Sequence, residues 1–188
     1  SDLSAKLAVV AGARLSLVPG LADLAEVMRG EEVQILGAAA AGLVPPDCRI
    51  CQPGTHNKWA QLEGGRITGF TTVMTGELFA LLKANGVLAG MLDGEVCDGE
   101  AFRRGVADGA GRRDLSAALF GVRAAVLLKR LHPADAAAFA SGVLIGADVG
   151  PRMGQAPVHV LAGPPLGTLY AAAIEALGGR STIVDSTP

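Results

Sequence analysis

Three short stretches of this 188-residue sequence carry residue types and spacings suited to chemistry. The first is Pro53-Gly54-Thr55-His56, followed by Asn57 and Lys58. Glycine admits a close ligand, threonine offers a hydroxyl, and successive backbone N–H groups form a nest for an anion. That combination suits a phosphate. Lys58 would add a point charge, or stand as a solvated hairpin residue. The same four residues also spell a type II turn, with Pro at its second position and a positive-φ Gly at its third. The second stretch is Gly163-Pro164-Pro165-Leu166-Gly167, where an apolar run meets a helical one. Ligands of α/β folds gather at such strand-to-helix turns, beside helix N-termini. The third is Glu31-Glu32, behind Arg29-Gly30. Adjacent carboxylates on a helix diverge by about 100°, so they do not make a paired acid–base site. Either one suits a general base, which needs position first and a tuned pKa second.

Other polar and small residues admit plainer readings. Gly142 and Gly146, in SGVLIGADVG, mark a helix face that approaches either a ligand or another helix. Arg103-Arg104 and Arg112-Arg113 read as a solvated face. Cys48 and Cys51 form a C-x-x-C pair, with His56 and Cys97 further on. CRICQ reads as a strand, however, and strand residues three apart point to opposite faces. No metal site is expected there. Three cysteines do not build a disulfide framework, so a reduced, cytoplasmic protein is expected.

The elements that must position these stretches follow from pattern. Half of the residues are hydrophobic, 18% are charged and only 4% are aromatic. Such a chain buries a sizeable core, and its many Ala and Gly favour close-packed helices on a sheet. A formal charge of −2 leaves no basic field for nucleic acid, and no apolar run reaches the length of a membrane span.

KLAVVAGARLSLVPGL reads as a short hairpin. Residues 28–30 read as a loop. Residues 31–41 read as a helix with Val33, Leu36, Gly37 and Ala40 on one face and acidic residues in the first turn. The Pro-rich LVPPD at 43–47 is the expected domain boundary. CRICQ, KWAQLE and RITGFTTVM read as three strands, with Glu63-Gly64-Gly65-Arg66 as the second turn. The pattern is then helical from Gly76 to about Ala140, with loops at LDGEVCDGE and ADGAGRRD. The helix LSAALFGVRAAVLLKRLH is expected to end at Pro133. Another follows over AAAFASGVLIGADVG. VHVLAGPP reads as a buried strand, LGTLYAAAIEALGG as a Gly-capped helix, and STIV as a last strand.

Together, VMRGEEVQILGA, QPGTHNKWAQLEGGRITGFTTVMTGELFALL, LFGVRAAVLLKRL, SGVLIGADV and VLAGPPLGTLYAAAIEALG resemble the 2-dehydro-3-deoxygalactonokinases, from about Leu15 to Asp185. PGTHNKW and MTGELFALL are the specific blocks. The resemblance implies an α/β fold of the sugar-kinase, Hsp70 and actin superfamily: an RNase H-like lobe of order β-β-β-α-β-α-β with flanking helices at 47–188. Residues 1–46 would be the tail of the preceding, sugar-binding lobe.

It implies ATP-dependent phosphorylation of 2-dehydro-3-deoxy-D-galactonate at its 6-hydroxyl, with Mg²⁺ bridging the phosphates. Carried over residue by residue, Gly54, Thr55 and His56 match the second phosphate loop. Gly163, Pro164 and Leu166 match the adenosine-binding turn, with Gly146 near it. Glu31 falls at the catalytic base, Glu32 remains a candidate, and Arg29 lies on the sugar side. Thr75-Gly76-Glu77 is a recognisable block without an assigned role.

The departures concern what the chain lacks. The family's first phosphate loop, roughly Asp-Trp-Gly-Thr-Thr, does not occur here. Asn57 and Val33 stand where Ser and Thr are expected, and Gly163-Pro164-Pro165 replaces Gly-Ala-Pro. The chain begins Ser1-Asp2-Leu3-Ser4 and reads as a processed or truncated piece, inactive by itself. A non-catalytic ligand-binding module of the same fold, or a kinase for another sugar acid, are the rival readings. An apolar face left bare by a missing lobe would favour self-association.

Overall fold

The computed structural model describes residues 8–9, 16–17, 19–112 and 114–185; Arg113 lies outside them. Two small antiparallel ribbons come first. β1 (Ala8–Val9) pairs with β2 (Ser16–Leu17), and β3 (Leu21–Ala22) with β4 (Val27–Met28). Val27 and Met28 are thus strand residues, although the sequence suggests a loop from Met28 onward. α1 (Glu31–Ala40) follows Gly30, whose φ of 108° only glycine adopts readily.

The main sheet has five strands in the order β7 (Arg66–Val73), β6 (Asn57–Glu63), β5 (Cys48–Gln52), β8 (Val158–Leu161), β9 (Ser181–Val184). β5, β6 and β7 run antiparallel as a meander, whereas β8 joins β5 in parallel and β9 joins β8. The fold is therefore α/β with a mixed sheet. Gly64 and Gly65 both take positive φ at the β6–β7 turn, as a tight hairpin requires. All four residues of β8 are buried, because helices cover both of its faces.

On one face, Cys51, Trp59, Val158 and Val160 pack against α3 (Glu100–Gly111), α5 (Ala136–Val149) and α6 (Leu166–Ala176). On the other, Cys48, Ile50, Ala60 and Leu62 pack against Ile35 and Ala38 of α1. Cys48 and Cys51 are free thiols in these two separate clusters. A third cluster joins α4 (Leu115–Leu127) to the start of α5 through Val122, Ala136 and Ala140. α2 (Thr75–Ala84) opens the helical half. No helix of the described residues is long and apolar enough to cross a membrane.

Three elements differ from the pattern reading. α1 buries Glu32, Ile35 and Ala38, and leaves Val33 exposed. Both stripes are apolar apart from Glu32, and a charge argues against its stripe. Its Oε2 accepts the Gly30 N–H at 2.6 Å, however, which lets the side chain turn inward. α3 runs through ADGAG to Gly111 rather than breaking into a loop. Its glycines face α5: a Cβ on Gly105 or Gly109 would overlap the carbonyl of Phe139 or Val143. Gly142 and Gly146 of α5 meet the carbonyls of Phe102 and Val106 in return. Finally, α4 stops at Leu127, before Pro133, where Lys129 turns to a φ of 57°.

One buried group gives stability a pH dependence. His159 of β8 is 9% exposed, and its Nδ1 has no hydrogen-bond partner. Burial lowers its pKa. As pH falls below the ordinary value of about 6.5, the unfolded chain binds the proton first. Stability from this group is therefore present above that value and is lost as pH falls through the lowered one. The urea midpoint of the wild type should drop more between neutral and mildly acid pH than that of His159→Gln. Parallel pH profiles would contradict this.

Candidate active site

The Pro53–His56 segment links β5 to β6 and is braced by α2. Gly54 does not take positive φ, so the type II turn is not formed. Instead its N–H donates to Asn57 Oδ1 at 2.7 Å. The Glu77 N–H donates to the Thr55 carbonyl at 3.0 Å. Gly76 lies so close to this loop that a Cβ there would overlap the Gly54 carbonyl. His56 Nε2 meets Glu77 Oε2 at 2.7 Å. Gly76 and Glu77 therefore hold the loop's shape, the first by having no side chain and the second by both backbone and carboxylate.

Gly54 and Thr55 line a cavity of about 260 Å³ whose other walls include Gly76, Ile145, Leu166 and Tyr170. Leu166 is the first residue of α6, so this helix N-terminus borders the cavity. The turn before it is tight. The Gly167 N–H donates to the Gly163 carbonyl at 2.9 Å, and Pro164–Pro165 is a cis peptide. The structure thus brings Gly54, Thr55 and Leu166 around one space, with Gly163 and Pro164 just behind Leu166. Gly146 does not join them. Its Cα hydrogens face α3, and close helix packing accounts for this glycine.

A second cavity, of about 530 Å³, lies on the other side of the same loop. Arg29, Glu31, His56 and Lys58 line it beneath the β3–β4 ribbon. Glu31 Oε1 sits 3.4 Å from Lys58 Nζ, and its Oε2 accepts the Arg29 N–H at 3.2 Å. Lys58 is buried and paired, not the solvated hairpin residue that its position in the sequence allows. Glu32 is fully buried, with Oε1 lacking a partner. Glu31 faces the cavity and Glu32 faces the core.

Asp148, on α5, went unnoticed in the sequence. It is 2% exposed. Its Oδ2 accepts from Asn57 Nδ2 at 2.7 Å, Tyr170 OH at 2.8 Å and Thr75 Oγ1 at 2.9 Å. Its Oδ1 accepts from Trp59 Nε1 at 2.8 Å, with Arg152 Nη1 3.4 Å away. Burial and the Asp148 charge push the Tyr170 hydroxyl well above its usual pKa. Burial, then the same charge, does likewise to the Cys51 thiol, with Arg152 opposing. Both stay neutral donors or bystanders around a buried carboxylate. A signal did exist: Asp148 is the sole charge in a helix of otherwise apolar and small residues.

All 188 residues match the family described as 2-keto-3-deoxy-galactonokinase. The chain belongs to that family. A relative from Rhizobium meliloti (strain 1021), named as a probable 2-dehydro-3-deoxygalactonokinase, is 38% identical over 92% of this chain and 60% of its own length. The 2-dehydro-3-deoxygalactonokinase of Escherichia coli (strain K12) is 35% identical over 92% of this chain and 61% of its own. The crystal structure of a protein from Sinorhizobium meliloti, assigned to the same activity by its description, superposes with a TM-score of 0.88 at 32% identity. That match covers 98% of this chain and 65% of that one. The chain thus spans about three-fifths of the length of the curated relatives it matches.

The galactonokinase family implies nucleotide use, typically with Mg²⁺. Among the described residues no group of three or more His, Cys, Asp or Glu side chains could hold a metal ion. In phosphoryl transfer such an ion is carried largely by the nucleotide's own phosphates with one or two carboxylates, so no cluster of three side chains is required of this chain.

Proposed function

We propose that this chain forms the nucleotide-binding side of an ATP-dependent sugar-acid kinase acting on 2-dehydro-3-deoxy-D-galactonate at the 6-hydroxyl. Residues 47–188 form its RNase H-like lobe, and residues 1–46 the tail of the sugar-binding lobe. The observation that carries the reading is the loop at 53–58, which walls two cavities at once. Gly54 and Thr55 border one; His56 and Lys58 border the other, with Glu31.

In this reading the β- and γ-phosphates of ATP lie against Gly54 and Thr55. The adenosine runs toward Leu166, along the turn begun by Gly163 and Pro164. The sugar acid enters beside Arg29, and Glu31 takes the proton from its hydroxyl as the phosphoryl group crosses the loop. Lys58 neutralises Glu31 before the substrate arrives and faces developing negative charge afterwards. Phosphoryl transfer depends on positioning and charge stabilisation from both sides of the phosphates. The Asp-Trp-Gly-Thr-Thr loop expected opposite does not occur in these 188 residues. The chain alone therefore binds nucleotide weakly and does not turn over.

Trp59 is the only tryptophan, and its indole shares Asp148 with three residues of the nucleotide cavity. Its emission should therefore report occupancy. Titration with Mg-ADP is expected to change Trp59 fluorescence saturably. Leu166→Trp would add a second emitter, so Leu166→Arg is the better probe: it should weaken binding several-fold with little loss of stability, because Leu166 is 40% exposed. Unchanged affinity in that variant would contradict the placement. Turnover by a 188-residue sample of verified mass would contradict the half-site reading.

A further inference from the structure

We infer that Asp148 is the positioning residue of the nucleotide cavity: one buried carboxylate sets the phosphate loop, the start of α2 and α6 relative to one another. The inference rests on the nucleotide reading above. It concerns a residue that touches no substrate atom in that reading.

The geometry runs outward from Oδ2. Thr75, Asn57 and Tyr170 each donate to it, and all three line the cavity. They come from three different elements: the first residue of α2, the first residue of β6 and the second turn of α6. Asn57 also contacts the Tyr170 hydroxyl. The Asn57 amide is the decisive link. Its Nδ2 is committed to the carboxylate, which leaves Oδ1 to accept the Gly54 N–H. An amide flipped end for end would aim an oxygen at a carboxylate and an N–H₂ group at an N–H donor. Asp148 thus fixes the orientation of Asn57, and Asn57 fixes Gly54.

The other oxygen is anchored away from the cavity. Trp59 Nε1 and Arg152 Nη1 hold Oδ1, and Arg152 Nη1 also donates to the Asp148 carbonyl at 2.7 Å. The carboxylate therefore has donors on both sides and almost no solvent. Burying an ionised carboxylate is unfavourable unless such donors surround it. An apolar residue would fill the same place between α5 and the sheet without needing five partners. The polar arrangement is accounted for by the three cavity walls that it ties together.

The test separates positioning from plain stability. Asp148→Asn and Thr75→Val each remove part of the network, Thr75→Ser keeps the hydroxyl, and Val44→Ala loosens the core on the opposite face of the sheet, none of whose residues lines the cavity. Mg-ADP dissociation constants are measured by ligand-detected NMR, below the melting temperature of every variant. Asp148→Asn is expected to weaken binding about 10- to 100-fold, the range for losing a hydrogen bond to a charged group. Thr75→Val should weaken it less, and Thr75→Ser should restore it. Val44→Ala should leave it unchanged although its melting temperature falls.

If Asp148→Asn does not fold, the Thr75 pair decides alone. Wild-type affinity in Thr75→Val or in a folded Asp148→Asn would overturn the inference while leaving the nucleotide reading intact. Loss of affinity in Val44→Ala equal to that in Thr75→Val would also overturn it. Absence of nucleotide binding in the wild type would overturn both.

Discussion

In the proposed kinase with its opposite phosphate loop present, Glu31→Gln is expected to lower kcat by about 10²- to 10⁴-fold, with KM for ATP little changed. Glutamine keeps the side chain's length and can still accept the Arg29 N–H, so the local fold should persist. The variant loses the ability to take a proton and also the charge that pairs with buried Lys58, so some loss of stability accompanies the loss of turnover. Glu31 is the carboxylate that lines the second cavity, 3.4 Å from Lys58, whereas Glu32 points into the core. The companion variant Glu32→Gln should behave differently. It keeps an acceptor for the Gly30 N–H and should change stability more than kcat. Steady-state phosphoryl transfer, with both KM values determined, distinguishes the two. A Glu32→Gln enzyme that loses turnover while Glu31→Gln keeps it would reverse the assignment.

The largest effect on stability is expected at the α3–α5 contact. Gly105 and Gly109 on one helix and Gly142 and Gly146 on the other let each backbone approach the other's carbonyls. Glycine inside a helix costs roughly 0.5–1 kcal/mol relative to alanine, so four of them need a structural return. That return is closeness: a Cβ at any of the four would overlap backbone, which cannot rotate away as a side chain can. Gly109→Val should therefore cost about 3 kcal/mol or more, at the upper end of overpacking effects. Against a total stability of about 5–15 kcal/mol, much of the protein would unfold in mild urea. Gly121→Ala is the contrasting variant. It lies within α4, where a Cβ meets nothing within 4 Å. That change should stabilise by up to about 1 kcal/mol. Urea unfolding of the three proteins checks both signs. Equal midpoints for Gly109→Val and the wild type would show that the helices can part without loss.

These glycines also show where sequence reasoning stopped. ADGAG looks like a break because glycine is a poor helix former, and only a partner helix reveals why it is there. Gly146 looked equally suited to a ligand or to a helix, and the facing carbonyl of Val106 decides for the helix. The face of α1 went the wrong way because a buried glutamate is unexpected until its bond to Gly30 is seen. The β5–β6–β7 meander, the buried β8 and the helical course of α5 and α6 were legible, since alternation, apolar runs and Gly–Gly turns are local signals. The PGTH loop reads as a phosphate contact from the chemistry of its residues, but its bracing by α2 has no signal in the sequence. Glu77, 21 positions from His56, reaches it only through the fold. Asp148 was the harder omission: its five donors lie between 4 and 91 positions away in sequence.

The central claim is that nucleotide occupies the space between the Gly54–Thr55 loop, the start of α2 and the start of α6. An amide-resolved NMR titration of the ¹⁵N-labelled protein with Mg-ADP tests it most directly. The account predicts progressive shifts at Gly54, Thr55, Gly76, Leu166 and Gly167, with Gly121 and the α4 amides unmoved. Shifts confined to other surfaces, or none at saturating nucleotide, would contradict it.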